Sequence, residues 1–416
     1  DLADEDDLAA LRRELTAPGP ERLFYVADAF RAGMSVEQVH ALSFIDPWFL
    51  DQMEEIIAAE QQFAADGLGS LDKARMRRLK RMGFSDARLA QLAGTDEAAV
   101  RVLRKALGVK PVYKRVDSCA AEFATNTAYL YSTYEDECEA QPTSRDKIMI
   151  LGGGPNRIGQ GIEFDYCCVH AAFALRDLGC ETVMVNCNPE TVSTDYDTSD
   201  KLYFEPLTVE DVLQIYEKEQ PRGVICQFGG QTPLNIARQL EEAGVRILGT
   251  PPAVIDMAED RDLFNAMMEK LGIPMAAGGM ATDEAGAIDI AARIGYPLMV
   301  RPSYVLGGRG MEIVYDEAML HDYMAAAVDV TPDRPILIDR YLENAIEAEA
   351  DAIADGEDAF VPAVMEHIEQ AGIHSGDSAC VIPPVGIPEH HLETIRTYPR
   401  TIAREMGVVG LMNIQY

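Results

Sequence analysis

The chain has 416 residues, of which 48% are hydrophobic and 25% are charged, and its formal net charge at pH 7 is −33. This length and composition are typical of two or three soluble globular domains, and no apolar run approaches the roughly 18–20 residues that span a bilayer. The acidic excess argues against nucleic acid as a main partner, because phosphate backbones attract basic surfaces.

The chain begins at Asp1, without Met and without the basic, apolar start of a secretory leader. It ends at Tyr416 in a segment with the pattern of a strand, so we expect a piece of a longer protein. Its 8 cysteines include no C-x-x-C pair. We therefore expect reduced thiols and a cytoplasmic protein.

Residues 1–140 are predicted to form a helical domain. Ser35 and Gln38 fit a capping box, and Asp46 precedes Pro47 as an N-cap before a helix at 48–65. The region contains no acid–base pair or ligand cluster, which favours a structural or assembly role. The segment 113–145, which extends past the end of this region, is less regular and is predicted to be a linker that packs across the two flanking domains.

Residues 141–254 alternate between short apolar strands and helices, which indicates a parallel sheet. Strands are predicted at 148–151, 182–185, 224–227 and 247–248, and helices at 164–178 and 209–219. Polar turns follow three of these strands, at the edge where such sheets bind ligands. A dinucleotide site is not favoured, because the fingerprint G-x-G-x-x-G would need glycine where Arg157 stands, and the next strand ends at Asn186 rather than at an acidic residue.

Residues 255–416 begin with a predicted helix at 260–271. A strand at 298–300 then leads to Arg301, and Pro302 is expected to end regular pairing. Gly307, Gly308 and Gly310 allow a loop whose N–H groups face an anion. A fixed cation beside such a loop suits a polyphosphate, although a glycine-rich hairpin with a surface arginine is the alternative. Further strands are predicted at 312–315, 335–339 and 347–353.

The segment 295–311, with its strand, arginine, Pro-Ser and Gly-Gly-x-Gly, resembles the carbamoyl phosphate synthetases, which are ATP-grasp enzymes. The stretch 152–166 resembles the loop that opens their pre-ATP-grasp domain. The resemblance covers the whole chain. It implies an all-α oligomerisation domain at 1–140, a Rossmann-like α/β pre-ATP-grasp domain at 141–254, and an incomplete α+β ATP-grasp domain at 255–416.

The implied reaction is ATP-dependent phosphorylation of carbamate to carbamoyl phosphate, which feeds arginine and pyrimidine biosynthesis. The preceding helical region and the loop Tyr-Val-Leu-Gly-Gly-Arg-Gly-Met point to the carboxy-terminal synthetase half of the family. A glutaminase small subunit and further copies of the chain are the implied protein partners. Two alternatives stay open: another ATP-grasp ligase, such as a biotin-dependent carboxylase or a purine-pathway ligase, or a non-catalytic oligomerisation and nucleotide-binding module.

The resemblance also implies site residues. Arg301 would neutralise phosphate charge during catalysis, Glu347 would bind the ribose hydroxyls, and Gln415 would supply an oxygen ligand to Mg²⁺ or Mn²⁺. The residues implied to contact ATP are Arg301, Ser303, Gly307, Gly308, Arg340, Leu342, Glu347, Gly372, Ile373, His374, Ser375 and Gln415. The base would be read by the backbones of Arg340 and Leu342.

Two further pairs are implied less directly. The resemblance implies that His367 and Glu369 help to hold a monovalent cation such as K⁺. A zinc site is not favoured, because their spacing fits no familiar zinc pattern. Arg157 and Glu163 would line a passage for carbamate, or would instead cap a helix and pack an interface. The family's next metal ligands, in a Glu-x-Asn-x-Arg motif, would follow residue 416, so the chain alone is expected to be inactive.

Overall fold

The computed structural model describes residues 5–125, 127–155, 163–302, 311–330, 336–371, 373 and 378–416. The chain divides into two compact units. One contains the residues up to 115 together with 131–141, and the other contains 116–130 and 142–416. Among the helices in these ranges, none combines the length and apolar character needed to cross a bilayer.

The first unit is built mainly of helices that begin and end at the predicted signals. Gln38 N–H donates to Ser35 Oγ, and Ser35 N–H donates to Gln38 Oε1 at 2.9 Å, which completes the capping box. Asp46 caps the next helix by accepting from Trp48 N–H at 2.9 Å. The helices are α1 (Glu5–Thr16), α2 (Arg22–Arg31), α3 (Val36–Ser43), α4 (Pro47–Asp66), α5 (Lys73–Arg81), α6 (Asp86–Ala93) and α7 (Glu97–Ala106).

A buried carboxylate joins the last three of these helices. Asp86 of α6 accepts from Lys80 Nζ of α5 at 3.1 Å and from Arg104 Nη2 of α7 at 2.8 Å. All three side chains are almost completely buried. Ionised groups rarely enter a protein interior unless they are paired in this way.

Two strands lie in the stretch predicted to be a linker: β1 (Val112–Arg115) and β2 (Tyr129–Thr133). Tyr113 and Leu130 are buried within them. The prediction of a less regular linker was therefore wrong for eight of its residues, 113–115 and 129–133. Strands of four or five residues contain too few alternations to stand out from irregular sequence.

The second unit contains a parallel sheet, as the alternating pattern predicted. Its strands pair in parallel in the order β2, β5, β4, β3, β6, β7. The sequence indicated the helix at 209–219 to the residue. The remaining elements are β3 (Lys147–Leu151), α8 (Glu163–Asp177), β4 (Glu181–Val185), β5 (Lys201–Tyr203), α9 (Val209–Glu219), β6 (Gly223–Ile225), α10 (Gln231–Glu242), β7 (Ile247–Leu248), α11 (Pro252–Glu259) and α12 (Arg261–Leu271).

Two four-stranded antiparallel sheets complete the unit. The first has the order β10, β9, β11, β8 and the second β14, β13, β12, β15. Their elements are β8 (Gly278–Ala281), α13 (Glu284–Ile294), β9 (Leu298–Pro302), β10 (Glu312–Val314), α14 (Glu317–Val330), β11 (Ile336–Arg340), β12 (Ala348–Asp355), β13 (Ala359–His367), β14 (Cys380–Val381), α15 (Glu389–Met406) and β15 (Val409–Gln415).

Pro302 pairs with Ile336 of β11 and is the last residue of β9. Residues 303–310 lie outside the described ranges, so the expectation that regular pairing ends at Pro302 stays a prediction. Proline has no N–H to donate, but it keeps a carbonyl that can accept, and it occupies the last position of β9. At the end of a strand this loss is tolerated.

A second buried ionic cluster lies where the parallel strands begin. Lys147 and Lys201 are the first residues of β3 and β5, and their amines lie 3.0 Å and 2.8 Å from the carboxylate of Glu219, the last residue of α9. The Tyr203 hydroxyl donates to the same carboxylate. Burial alone would raise the pKa of Glu219, but hydrogen bonds from Lys201, Tyr203 and Lys147 outweigh it and hold the pKa below its usual range.

Candidate functional site

Polar side chains meet at the edge where the parallel strands end, as the sequence predicted. Asn186 follows β4, and its Oδ1 accepts from the Gly154 N–H at 3.0 Å and the Cys187 N–H at 2.9 Å. Its Nδ2 donates to Ser193 Oγ at 3.0 Å. A side chain on Gly152 would overlap Asn186, since a Cβ there would lie 2.5 Å from the amide carbon. The turn after β3 is thus held by the turn after β4.

Arg301 is fixed in the first antiparallel sheet. It lies in β9 opposite Leu337 of β11, and its side chain is half-buried. Asp339, two residues along β11, is ion-paired with Arg261. Burial raises the pKa of Asp339, although Arg261 and Arg301 both act in the opposite direction. Two guanidinium groups therefore act on one carboxylate.

The segment after β11 offers a backbone edge for a base. Arg340 N–H donates to Ala277 O at 2.8 Å, and its guanidinium donates to Tyr296 O. The Arg340 side chain is thus already hydrogen-bonded within the protein. The base of a nucleotide would have to hydrogen-bond to the Arg340 carbonyl or to the backbone of Leu342. Leu342 itself is exposed.

A cleft of about 510 Å³ separates this segment from the end of β13. Tyr341 crosses its floor, and the Tyr341 hydroxyl donates to Ala371 O at 3.2 Å. Asn344, Ile346 and Glu369 line the same cleft. Its polar lining and open edge suit a bound polar molecule better than a packed side chain.

Glu347 directly precedes β12, and its carbonyl accepts from His367 N–H at 2.9 Å. His367, the last residue of β13, is buried and lines the cleft. Within the described ranges, neither ring nitrogen of His367 has a hydrogen-bond partner. The nearest charged group is Glu349, whose Oε1 lies 3.6 Å from His367 Nε2. Glu369 accepts from Ala379 N–H at 2.6 Å.

Gln415 lies opposite Glu349 in the pairing of β15 with β12. Its Nε2 donates to Glu349 Oε1 at 2.7 Å. Because the amide nitrogen faces Glu349, the amide oxygen is left to face away from it. Glu349 is 8% exposed and connects Gln415 with His367, and the sequence analysis did not single it out. The alternation of Glu347, Glu349 and Asp351 is also typical of the solvent-facing side of an edge strand, so it gives no local signal that Glu349 is buried.

An amide oxygen such as that of Gln415 is a suitable hard ligand for Mg²⁺ or Mn²⁺. It faces away from the Glu349 carboxylate, so these two groups do not form a pair of ligands. In the part of the chain that the structure describes, however, no group of three or more His, Cys, Asp or Glu side chains is placed to hold a metal. Gln415 therefore fits as one ligand, and the described residues do not make a complete metal site.

The predicted residues lie in different parts of the chain. His367 and Gln415 lie on β13 and β15, the two strands that flank β12, and Glu347 directly precedes β12, whereas Arg301 and Arg340 lie in the other antiparallel sheet. Glu163 is exposed at the start of α8, and Ile373 is exposed as well. The predicted residues outside the described ranges are Arg157, Ser303, Gly307, Gly308, Gly372, His374 and Ser375.

Family models match nearly the whole chain. Residues 1–108 match the carbamoyl-phosphate synthetase large chain oligomerisation domain, residues 144–257 the carbamoyl phosphate synthase preATP-grasp domain, and residues 260–416 the ATP binding domain of the carbamoyl-phosphate synthase L chain. The chain belongs to the carbamoyl phosphate synthase large-chain family. The second unit thus contains the pre-ATP-grasp and ATP-grasp domains of this family.

Relatives named carbamoyl phosphate synthase large chain align over the full chain. The protein of Xanthomonas campestris pv. campestris is 66% identical over 100% of this chain and 39% of its own length. That of Pseudomonas syringae pv. tomato is 61% identical with the same coverage. The chain therefore spans about two fifths of the length of these large chains.

Solved structures share the fold of the second unit at low identity. The biotin carboxylase domain of Hydrogenobacter thermophilus 2-oxoglutarate carboxylase, in complex with MgADP and bicarbonate, has a TM-score of 0.52 and 20% identity, covering 65% of this chain and 60% of its own. Biotin carboxylase of Campylobacter jejuni has a TM-score of 0.52 and 15% identity, covering 65% and 62%. At such identities the likeness shows the fold alone, and the large-chain relatives decide the family.

Proposed function

We propose that the chain contributes the nucleotide site at which the full-length protein phosphorylates carbamate to carbamoyl phosphate with ATP. The observation that carries this proposal is that Gln415 and His367 both lie close to Glu349, and that His367 lines the 510 Å³ cleft, in a chain of the large-chain family. Membership of this family favours the proposal over a biotin-dependent or purine-pathway ligase. We further propose a cytoplasmic location and the arginine and pyrimidine pathways as its setting.

The chemistry follows from charge and position. Phosphoryl transfer is catalysed mainly by alignment and by neutralising the charge on the transferred group. Arg301 would neutralise phosphate charge, Glu347 would accept hydrogen bonds from the ribose hydroxyls, and the backbones of Arg340 and Leu342 would face the base. A Mg²⁺ or Mn²⁺ ion, when bound at Gln415, would neutralise the phosphate oxygens. The residues 303–310 and 372–375 are proposed to contact the nucleotide from either side.

The finer assignments are proposals of the same kind. His367 and Glu369, on the wall of the cleft, would help to hold K⁺. Arg157 and Glu163 would line the carbamate passage beside the turns after β3 and β4. The proposed domains are 1–140, 141–254 and 255–416, and a glutaminase small subunit is the proposed source of ammonia.

Replacing Glu347 with glutamine tests the ribose assignment. In the full-length protein we expect the KM for ADP to rise about 10-fold, because a hydrogen bond to a charged group contributes about 1.5–3 kcal/mol. The measurement is ATP formation from ADP and carbamoyl phosphate. Glu357→Gln, an exposed residue between β12 and β13 that does not line the cleft, is the control and should leave the KM unchanged.

An unchanged KM in Glu347→Gln would remove the ribose assignment while leaving the enzyme intact. Failure of the wild-type full-length protein to form ATP from ADP and carbamoyl phosphate would overturn the proposed function itself. Biotin-dependent ATP turnover would instead support the carboxylase alternative.

We also propose self-association through the first unit, which matches the oligomerisation domain of the family. Its helices leave an apolar corner exposed, which consists of Leu23, Phe24, Phe44, Trp48 and Phe49. Arg22 Nη2 donates to Ser43 O at 2.6 Å and so holds the start of α2 against the end of α3, beside Phe44. Exposed apolar patches of several hundred Å² mark interaction surfaces.

The conformation and exposure of Phe44 also favour self-association through this corner. It is 83% exposed and has a φ of +56°, a conformation that costs a bulky side chain about 1 kcal/mol or more. Neither property stabilises the isolated helical unit. Both are understandable if the corner packs against a second copy, since five large apolar side chains supply much of the roughly 800 Å² per partner that a stable interface buries.

The double variant Phe44→Asn, Trp48→Ser should weaken self-association of the full-length protein by about 10-fold or more, the effect of losing interface anchors. Asparagine tolerates a positive φ, so folding should be preserved. The measurement is molar mass by light scattering over a dilution series. Phe123→Ser, which removes an equally exposed phenylalanine elsewhere, is the control. An unchanged molar mass in the double variant would exclude the corner as the interface.

A further inference from the structure

We infer that Gln227 and Thr250 form a clamp that positions β15, the strand that ends at Gln415. The inference rests on the proposed function for the role of Gln415. The clamp residues themselves stand outside every site assignment above. They are positioning residues, because their side chains hydrogen-bond to each other and to the backbone of Val409, and they would act through β15.

The Thr250 hydroxyl is used completely. It donates to Val409 O at 2.9 Å, and it accepts from Val409 N–H at 3.2 Å and from Gln227 Nε2 at 2.8 Å. A hydroxyl offers one donor and two acceptor sites, so all three are filled. Gln227 Oε1 also accepts from the Thr250 N–H at 3.0 Å. Thr250 is 4% exposed, so these bonds form away from water.

Two glycines make room for the Gln227 side chain. Gly249 has a φ of +95°, and a Cβ there would lie 2.1 Å from Gln227 Oε1. Gly410 has a φ of +116°, and a Cβ there would lie 3.0 Å from the same oxygen. Positive φ and close approach both favour glycine. The chain thus has a glycine on each side of the clamp, next to Thr250 and next to Val409.

The clamp connects two sheets that have no strand pairing in common. Gln227 follows β6, and Thr250 follows β7, at the carboxyl edge of the parallel sheet. Val409 is the first residue of β15, which in the described part of the chain pairs with β12 alone. A clamp at the start of this strand restricts its tilt relative to the parallel sheet.

The clamp at the start of β15 also affects the position of Gln415 at its end. Seven residues at about 3.3 Å each place Gln415 roughly 20 Å from Val409. The Gln415 side chain donates a hydrogen bond to Glu349 on the neighbouring strand, and the Val409 backbone is hydrogen-bonded to Thr250. The strand is therefore fixed at both ends. Misplacing a catalytic group by about 1 Å can cost about 10²-fold in rate. The clamp would therefore set the turnover rate rather than the affinity for nucleotide.

Thr250→Val in the full-length protein tests the clamp, because valine keeps the shape and removes the hydroxyl. We expect amide hydrogen exchange across β15 to become about 10-fold faster. We expect the kcat for ATP formation from ADP and carbamoyl phosphate to fall about 10-fold at an unchanged KM for ADP. Thr250→Ser should restore both values. Gln227→Met, which removes only the side-chain amide, should reproduce the Thr250→Val result.

The matched control is Thr208→Val, which removes a hydroxyl that caps α9 in the same unit. It should leave exchange in β15 and the kcat unchanged. Unchanged exchange in β15 of Thr250→Val, or equal effects of Thr250→Val and Thr208→Val, would overturn the clamp. Exchange is measured without substrates, so a failure of the proposed carbamoyl phosphate reaction would be seen separately, in the wild-type protein.

Discussion

Replacing Arg301 with alanine in the full-length protein is expected to slow ATP formation from ADP and carbamoyl phosphate by about 10²-fold or more, the effect of losing a preorganised charge contact. The cation is preorganised because β9 is paired on both sides, by β10 and by β11. The half-buried Arg301 side chain therefore loses little conformational entropy when the substrate binds. Since the net charge of the chain is −33, an anionic substrate has to meet local cations such as Arg301.

The assay needs two partial reactions to assign Arg301 to a site. Bicarbonate-dependent ATP hydrolysis should be retained if it takes place elsewhere in the full-length protein. Arg301→Lys should recover only part of the activity, because an ammonium group does not reproduce a two-pronged guanidinium contact. Arg238→Ala, an exposed arginine of α10, should change neither reaction. Equal loss of both reactions in Arg301→Ala, or of neither, would contradict the assignment.

Replacing Glu219 with glutamine should lower the free energy of unfolding by about 3–5 kcal/mol, as expected when one partner of a buried ion pair is removed. The carboxylate is completely buried and faces both Lys147 and Lys201. Glutamine keeps the size of the side chain but leaves two buried ammonium groups without their main counter-charge. Glu181, at 3.8 Å from Lys201, compensates only in part.

The same carboxylate gives a pH dependence with a definite sign. The pKa of Glu219 is lower in the folded protein than its usual value near 4.3. The contribution of Glu219 to stability is therefore complete above that value and is lost as the pH falls through the folded pKa. The stability difference between the wild type and Glu219→Gln should be largest near pH 7 and should shrink in acid.

Urea unfolding followed by circular dichroism measures both effects. Glu241→Gln, on the exposed side of α10, is the control and should stay within about 0.5 kcal/mol of the wild type. If Glu219→Gln is as stable as Glu241→Gln at pH 7, the cluster does not stabilise the sheet. If the difference between them is equally large in acid, Glu219 is not the titrating group.

Elements with a local signal could be predicted from the sequence. The helix at 209–219 has a threonine N-cap and a regular apolar face, and the structure has the same bounds. The polar turns were expected to meet because parallel strands end at one edge, and Asn186 does contact Gly154. Strand β12 was placed within two residues at its ends.

Contacts between distant segments could not be predicted in this way. Glu349 looked exposed because its burial depends on β15, which follows it by some sixty residues. Thr250 and Val409 are separated by 159 positions, and no local pattern joins a threonine after one strand to the start of another. Arg301 was recognised from its loop, but its proximity to Asp339 depends on the pairing of β9 with β11.

The ion pairs of Asp86 bear on how the first unit opens. A single carboxylate holds α5, α6 and α7, so none of these helices can separate without exposing a buried charge on the other two. Local opening should then be all-or-none across residues 73–106, and the slowest-exchanging amides of the three helices should share one opening free energy. Helices α5, α6 and α7 would thus unfold together in a single step, rather than one after another from the end of the unit.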